Sequence, residues 1–478
     1  MIPIVLGVSV FAFASESAIG ANPLDNAGYS YATPHCTTTY SSTNLPPASL
    51  TITTAGTYCF TSGETFNTQI TVGVGSVTLT STGGPQMATI QPTTLAATST
   101  VPVSAEGAIV TAGSPEYNII LVGGGASPIS GVAISNLIVD GSKVSSPSGS
   151  AIFNGCGDEY EGVLFLNGGG AITGTTVQNI LLPQNLAGCQ PGEAILVQTP
   201  CTDFNSVTDA CTSTTDSSVV NISNDQALNY NKNGITCNDS GTTCSIASNT
   251  VNFYDQAVLP SYTTSYSNFI APNGIQVGFG AVGMVDGNTV MGNQCNLGYP
   301  TGVCGPNLLT QTASCGILTY QSGAGTEISN NMVGGRDASQ SNDLGICSAS
   351  DKATVAVNGN SLQGNRVAAI YEDDGAYTVS NNQISGSPIG VAVVSDGFSA
   401  TATSSTLSNN NFNGRFSIAL VEAMSLSGGS YGGPNAPTPA VNLSLDGLAE
   451  SVSGGTSSSP SIVNITSTPQ QGFGGFGP

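Results

Sequence analysis

The stretch SIASNTVNF (Ser245 to Phe253) returns with small changes from residue 221 onward. It reads NISNDQAL (Asn221 to Leu228), MVDGNTVMGN (Met284 to Asn293) and EISNNMVGG (Glu327 to Gly335), then VNGNSLQGN (Val357 to Asn365), VSNNQISG (Val379 to Gly386) and LSNNNFNG (Leu407 to Gly414). Each copy sets an apolar or β-branched residue before Asn, then a second apolar residue and a Gly or Asn. A unit recurring at tens of residues marks a stacked architecture, and that decides the fold before any residue is given a chemical role.

A second kind of segment alternates with it. It starts on a small residue and runs apolar: GEAILVQ (Gly192 to Gln198), NGITC (Asn233 to Cys237), NGIQVG (Asn273 to Gly278) and CGILTY (Cys315 to Tyr320), with VAAIYE (Val367 to Glu372), IGVAVVS (Ile389 to Ser395) and FSIALVE (Phe416 to Glu422) downstream. Ile195, Ile235, Ile275 and Ile317 are 40, 40 and 42 residues apart, whereas Asn360, Asn382 and Asn410 are 22 and 28 apart. A coil of 22 to 28 residues with two or three short strands predicts a right-handed parallel β-helix, and the longer periods are the same coil carrying an inserted loop. Asn accepts the left-handed backbone of sharp turns, and stacked amides can bond from coil to coil.

Here the chain resembles the pectin-lyase-like family of right-handed β-helix proteins. PASLTITTAGTYCFTSG (Pro47 to Gly63) and ITVGVGSVTLTSTGG (Ile70 to Gly84) are similar to the first coil of such secreted proteins, and VAISNLIVDG (Val132 to Gly141) to their recurrent coil. The resemblance covers about residues 45 to 430 and implies the fold; that fold carries lyases, hydrolases, epimerases, adhesins and inert shafts. The expected organisation is an apolar segment over 1–20, an extension over 21–44, the β-helix over 45–430, and a Gly/Pro linker with a strand-like tail over 431–478.

The segment MIPIVLGVSVFAFASESAIGA resembles a secretory leader ending in Ala12-Phe13-Ala14, although no Lys or Arg precedes its apolar run. The other reading is a retained strand donated to a neighbouring subunit. The run is too short for a membrane-spanning helix. At the far end, GGSYGGPNAPTP reads as a linker, followed by VNLSL (Val441 to Leu445), SIVNIT (Ser461 to Thr466) and a Gly/Phe tail.

Only 7% of the 478 residues are charged, and 6 Lys plus Arg stand against 28 Asp plus Glu, a net charge of −22. A nucleic-acid partner is excluded by repulsion, and anionic polysaccharides are disfavoured. Carboxylates protonate near roughly pH 4, so the composition suits an acidic exterior. The 12 Cys fall in close pairs, Cys36/Cys59, Cys156/Cys189, Cys201/Cys211, Cys237/Cys244, Cys295/Cys304 and Cys315/Cys347, with most placed in inserted loops. With a single His (His35) and no CxxC, disulfides and an extracellular location are expected, with no metal and no cofactor.

The search for chemistry yields little. Lyases of the resembled fold use a basic residue beside calcium-binding acids, yet Lys232 and Lys352 read as solvated, and Arg366 (QGNRVAA) and Arg415 (FNGRFSI) as turn positions pairing with carboxylates. The His segment of the polygalacturonases is missing. The strongest acidic cluster is YEDDGAY (Tyr371 to Tyr377), where Glu372 and Asp374 would share a face if the strand continued, as the two carboxylates of a glycosidase must. A second, CGDEYEG (Cys156 to Gly162) with Asp158, Glu159 and Glu161, reads as a disulfide-anchored loop. The aromatics Tyr254, Tyr262, Tyr266 and Phe269 read as loop packing, and Asn221, Asn238, Asn442 and Asn464 head glycosylation sequons.

The leading expectation is a non-enzymatic extracellular subunit of a surface filament, sheath or adhesive layer, assembled from copies of itself through its terminal segments. The alternatives are a secreted polysaccharide-active enzyme (hydrolase or lyase) using Glu372 and Asp374, and an adhesin that binds extracellular glycans.

Overall fold

The computed structural model describes residues 34–100, 115–144, 158–182, 192–200, 217–253, 271–294, 314–351, 353–395 and 403–413, with isolated strands at 204–205, 210–211, 416–422, 441–445, 451–452 and 462–466. The chain winds into a right-handed parallel β-helix. Its strands form three long sheets of 14, 13 and 12 members, here sheets one, two and three. Each coil visits them in order. One coil places Asn233–Asn238 in sheet one, Thr242–Ala247 in sheet two and Thr250–Asn252 in sheet three, and the next repeats this with Asn273–Gly278, Val282–Asp286 and Thr289–Met291. The coil therefore carries three strands, the upper of the two numbers expected. No helix among the described residues is long and apolar enough to cross a membrane.

Parallel pairing stacks like on like. Ile195, Ile235, Ile275, Ile317, Ile346, Ile370 and Val391 lie in one register line of sheet one. All are buried in one continuous core, with Ile222, Ile246 and Val285 from sheet two and Val251, Val290 and Val333 from sheet three. Removing one such side chain from the bore costs roughly 2–5 kcal/mol.

Sheet one departs from simple alternation at one position in successive coils from strand Pro115–Gly123 onward. The pairing of Asn233 with Asn273 and of Ile235 with Ile275 skips Gly234 and Gly274. A Cβ at Gly234 would sit 2.4 Å from Val251 and 2.6 Å from the carbonyl of Gly274, so the bulged residue turns into the bore and has to be small. Side chains on either side of it keep opposite faces. Asn233, Thr236 and Asn238 point outward, while Ile235 and Cys237 point inward.

The repeated Asn is a second core. Asn249 Nδ2 donates to Asn288 Oδ1 at 2.9 Å, and the pattern continues through Asn331, Asn360, Asn382 and Asn410 at 2.9–3.0 Å. Each of these Nδ2 groups up to Asn382 also donates to a carbonyl of an earlier coil, as Asn331 does to Val285 at 2.9 Å. The preceding residue takes the left-handed backbone, as at Asn224, Ser248, Gly287, Asn330, Gly359, Asn381 and Asn409. Every ladder Asn is buried, so each amide satisfies groups that water cannot reach, at about 1 kcal/mol per bond.

Cysteine placement differs from expectation. Cys237 and Cys244 are bonded and lie on strands of sheets one and two, clamping the corner between them from inside the core. Cys315–Cys347 joins neighbouring coils on the outer side of sheet one, and Cys36–Cys59 ties the first coils. Among the described residues the bonded cysteines other than Cys36 lie on strands and not in loops. Cys211 ends the isolated strand Ala210–Cys211, while the other five cysteines, residues 1–20 and the Gly/Phe tail lie outside what is described. Beyond residue 430, strands Val441–Leu445, Ser451–Val452 and Ile462–Thr466 still pair in parallel with sheets two, three and one.

Candidate functional site

The pair Glu372 and Asp374 does not form a two-carboxylate site. Strand Ala368–Asp373 ends before Asp374, which takes a left-handed φ of 44° and donates its backbone N–H to Thr403 Oγ1 at 2.7 Å. Glu372 has the phase of Ile370 and so points into the bore, fully buried. Burial lifts its carboxyl to about 8, opposed by the neighbouring Ser405 hydroxyl. A saccharide cannot reach a carboxyl that lies inside the helix. Tyr371 and Asp373 take the outward side of the same strand, joined by a hydrogen bond of 3.1 Å.

Acidic groups do meet elsewhere. Glu159 and Glu161 sit on strand Glu159–Leu166 of sheet one, not in a loop. Glu159 is in register with Glu116, and Glu161 lies between Asn118 on one side and Glu193 on the other. The line continues through Asn233 and Asn273. Asn118, Glu161, Glu193, Asn233 and Asn273 thus form one outward row over five coils. Asn233 Nδ2 donates to Glu193 Oε1 at 2.7 Å and faces Gln276 Oε1 at 3.2 Å. Asn273 Nδ2 donates to Asn233 Oδ1 at 3.2 Å, and Gln276 Nε2 to Asn238 Oδ1 at 3.2 Å. All five side chains of the row are buried.

Lys232, next to this row, is buried rather than solvated: its Nζ donates to the carbonyl of Ala271 at 3.2 Å. Arg366 pairs with Asp343 at 2.8 Å, the carboxylate pairing its turn position suggested. Arg415, Lys352, Tyr254, Tyr262, Tyr266 and Phe269 lie outside the described residues. A surface hollow of about 380 Å³, lined by Pro128, Ile129, Gly169, Gly170 and Val219 among others, carries no titratable side chain. Among the described residues no group of three or more His, Cys, Asp or Glu is arranged to hold a metal ion.

Two further carboxyls are displaced upward. Burial lifts Asp225 to about 7 against backbone hydrogen bonds from Thr175 and Ser223, and lifts Asp351 to about 6 against bonds from Ser322 and Thr319. Asp225 heads the amide ladder, its N–H donating to Asn249 Oδ1 at 2.9 Å, which makes its role structural.

Glu193 and Glu116 were missed in the sequence, and the signal for Glu193 was present. Counting back two residues from the markers Ile195, Ile235 and Ile275 gives Glu193, Asn233 and Asn273, a polar column in phase with the apolar one.

Fold and disulfides together define the class: a right-handed parallel β-helix protein of an oxidising, non-cytoplasmic compartment. No protein-family model matches the chain, and neither does any curated protein sequence. Among solved structures it is similar to the A-module of the Azotobacter vinelandii mannuronan C-5 epimerase (11% identity, TM-score 0.42, 86% of this chain and 91% of that one). It is also similar to a GH136 lacto-N-biosidase from Eubacterium ramulus (10% identity, TM-score 0.48, 81% and 62%) and to an alginate lyase from Paenibacillus sp. (11% identity, TM-score 0.29, 86% and 98%). These are likenesses of fold, and the assignment of architecture stands on the three sheets themselves.

Proposed function

We propose that the chain is an extracellular polysaccharide-active β-helix protein whose chemistry belongs to Glu161 and Glu193 on the outer side of sheet one. The observation that carries this reading is their register. They are direct partners on neighbouring parallel strands, which lie about 4.8 Å apart. Retaining glycosidases use two carboxyl groups about 5–5.5 Å apart, one as acid and base, the other as nucleophile. The donor Asn233 holds and orients Glu193, which gives Glu193 the nucleophile's part and leaves the acid's to Glu161. The amides of Asn233 and Asn273 continue the row across the next two coils, with Gln276 and Asn238 beside it on the same outer face.

Glu161→Gln and Glu193→Gln are each expected to lower turnover of a cleaved glycan by at least about 100-fold while leaving the circular dichroism unchanged. Wild-type turnover that survives both substitutions would remove the proposal. The second reading, a non-catalytic surface-filament subunit, is favoured by the closure of the row to solvent, since a substrate reaches it only when that face opens. Filaments in electron micrographs, together with no turnover across neutral glycan panels, would select it instead.

A further inference from the structure

One register line inside the bore changes character along the helix. Val197, Cys237 and Val277 are followed in the same inward position by Thr319, Ser348 and Glu372, and then by Val393. For three coils the lining is polar. Thr319 Oγ1 donates to Asp351 Oδ2 at 2.8 Å, and the Ser322 N–H to Asp351 Oδ1 at 2.7 Å. Asp351 is thereby satisfied. Tyr377, from the core side of sheet two, gives its hydroxyl proton to the carbonyl of Asp373 at 2.6 Å.

Three neighbouring groups remain without a formed bond: both oxygens of Glu372, Ser348 Oγ and Ser405 Oγ. All three residues are at most 1% exposed. Ser348 is the register partner of Glu372 in the preceding coil, and Ser405 pairs with the core residue Tyr377. A buried carboxylate would face only hydroxyls here, and leaving an ion so poorly paired costs several kcal/mol. The neutral acid is different: it donates through its own proton and accepts through its carbonyl oxygen, so a hydroxyl on each side satisfies it.

The charged and titratable groups around it are acidic or phenolic. Asp351 follows the strand of the preceding coil, Asp373 and Asp374 come from its own strand's end, and Tyr377 comes from sheet two, within electrostatic reach of all four carboxyls. The flanking strands Ile389–Ser395 and Thr403–Ser408 bring no charged side chain. Among the described residues no basic group contributes to the electrostatics of Glu372.

We infer that Glu372, Ser348 and Ser405 form an internal proton-holding site that locks the C-terminal coils together, and that loss of this proton loosens them. The inference is independent of the chemistry proposed for the outer face. The displacement of Glu372 sets its sense: the folded carboxyl titrates near 8 and the free one near 4.5. Between those values the native state holds a proton that the unfolded chain has released. The stabilisation is therefore whole below about pH 4.5 and is lost progressively as pH rises to about 8.

Thermal unfolding of the full chain at pH 5, 7 and 9, with and without Glu372→Gln, tests this. The wild type is expected to lose about 5 °C more than the variant between pH 5 and pH 9, because the amide keeps a donor and an acceptor but cannot ionise. Equal pH dependence of the two proteins would overturn the inference. Should the variant not fold, hydrogen exchange on the wild type decides. Protection of residues 368–380, corrected for intrinsic rates, must fall between pH 7 and pH 9 relative to residues 233–247. Parallel behaviour of the two segments would overturn it.

Discussion

Glu193 and Glu372 occupy the same sheet, five coils apart along the helix, and their surroundings are opposite. Glu193 faces outward, with a carboxylate beside it and the Asn233 amide donating to it at 2.7 Å. Glu372 faces the bore, beside the hydroxyls of Ser348 and Ser405 and with no cation near it among the described residues. A parallel β-helix gives every strand an outer and an inner side, so the phase of a residue within its strand decides what a carboxyl can do. On the outer side it can meet a substrate when the face opens. On the inner side it can only hold or release a proton.

The sharpest way to break this contrast is to move the inner carboxyl. Val277→Glu places it in the same bore position three coils earlier, where the register neighbours are Cys237 and Thr319. With fewer hydroxyls and a disulfide beside it, the variant is expected to lose about 4 kcal/mol or more in urea unfolding. A loss below about 1 kcal/mol would show that the bore tolerates acids anywhere. Asn331→Ala comes next. It removes the acceptor for the Asn288 N–H and Nδ2 and the donors to Val285 and Asn360, at an expected cost of about 3 kcal/mol by the same assay.

Much of the fold could be read in advance, and the reasons are particular. The Asn cassettes and the apolar segments have different spacings and fixed order, so coil, sheet and core follow from them. The phase of Glu372 could be read as well: it stands two residues after Ile370, in the marker column that faces the core. Its pairing with Asp374 depends on the strand continuing to residue 374, and the strand ends at Asp373. The left-handed turn at Asp374 could not be foreseen, since the adjacent Gly375 takes such a backbone more readily than Asp does. Nor could the burial of Lys232, which depends on a carbonyl 39 residues away.

Two smaller effects refine the contrast between inner and outer positions. Replacing Cys237 and Cys244 by Ala removes a bond lying wholly inside the core and closing only a short loop, for an expected loss of about 2 kcal/mol in denaturant titration. The sequons separate by burial: Asn221 is exposed on sheet two, while Asn238, though outward-facing, is buried on sheet one. Secreted from a host that glycosylates sequons, the folded chain is expected to carry a glycan at Asn221 and none at Asn238, read by mass spectrometry of peptides, with stability changed by less than about 0.5 kcal/mol.

The most direct test of the division between the two faces sets Glu193→Gln beside Glu372→Gln in one experiment, measuring glycan turnover and melting temperature against pH for each. Glu193→Gln is expected to abolish turnover and keep the wild-type pH profile of stability. Glu372→Gln is expected to keep turnover and lose that profile. The opposite assignment, with turnover following Glu372 and pH sensitivity following Glu193, would contradict the account.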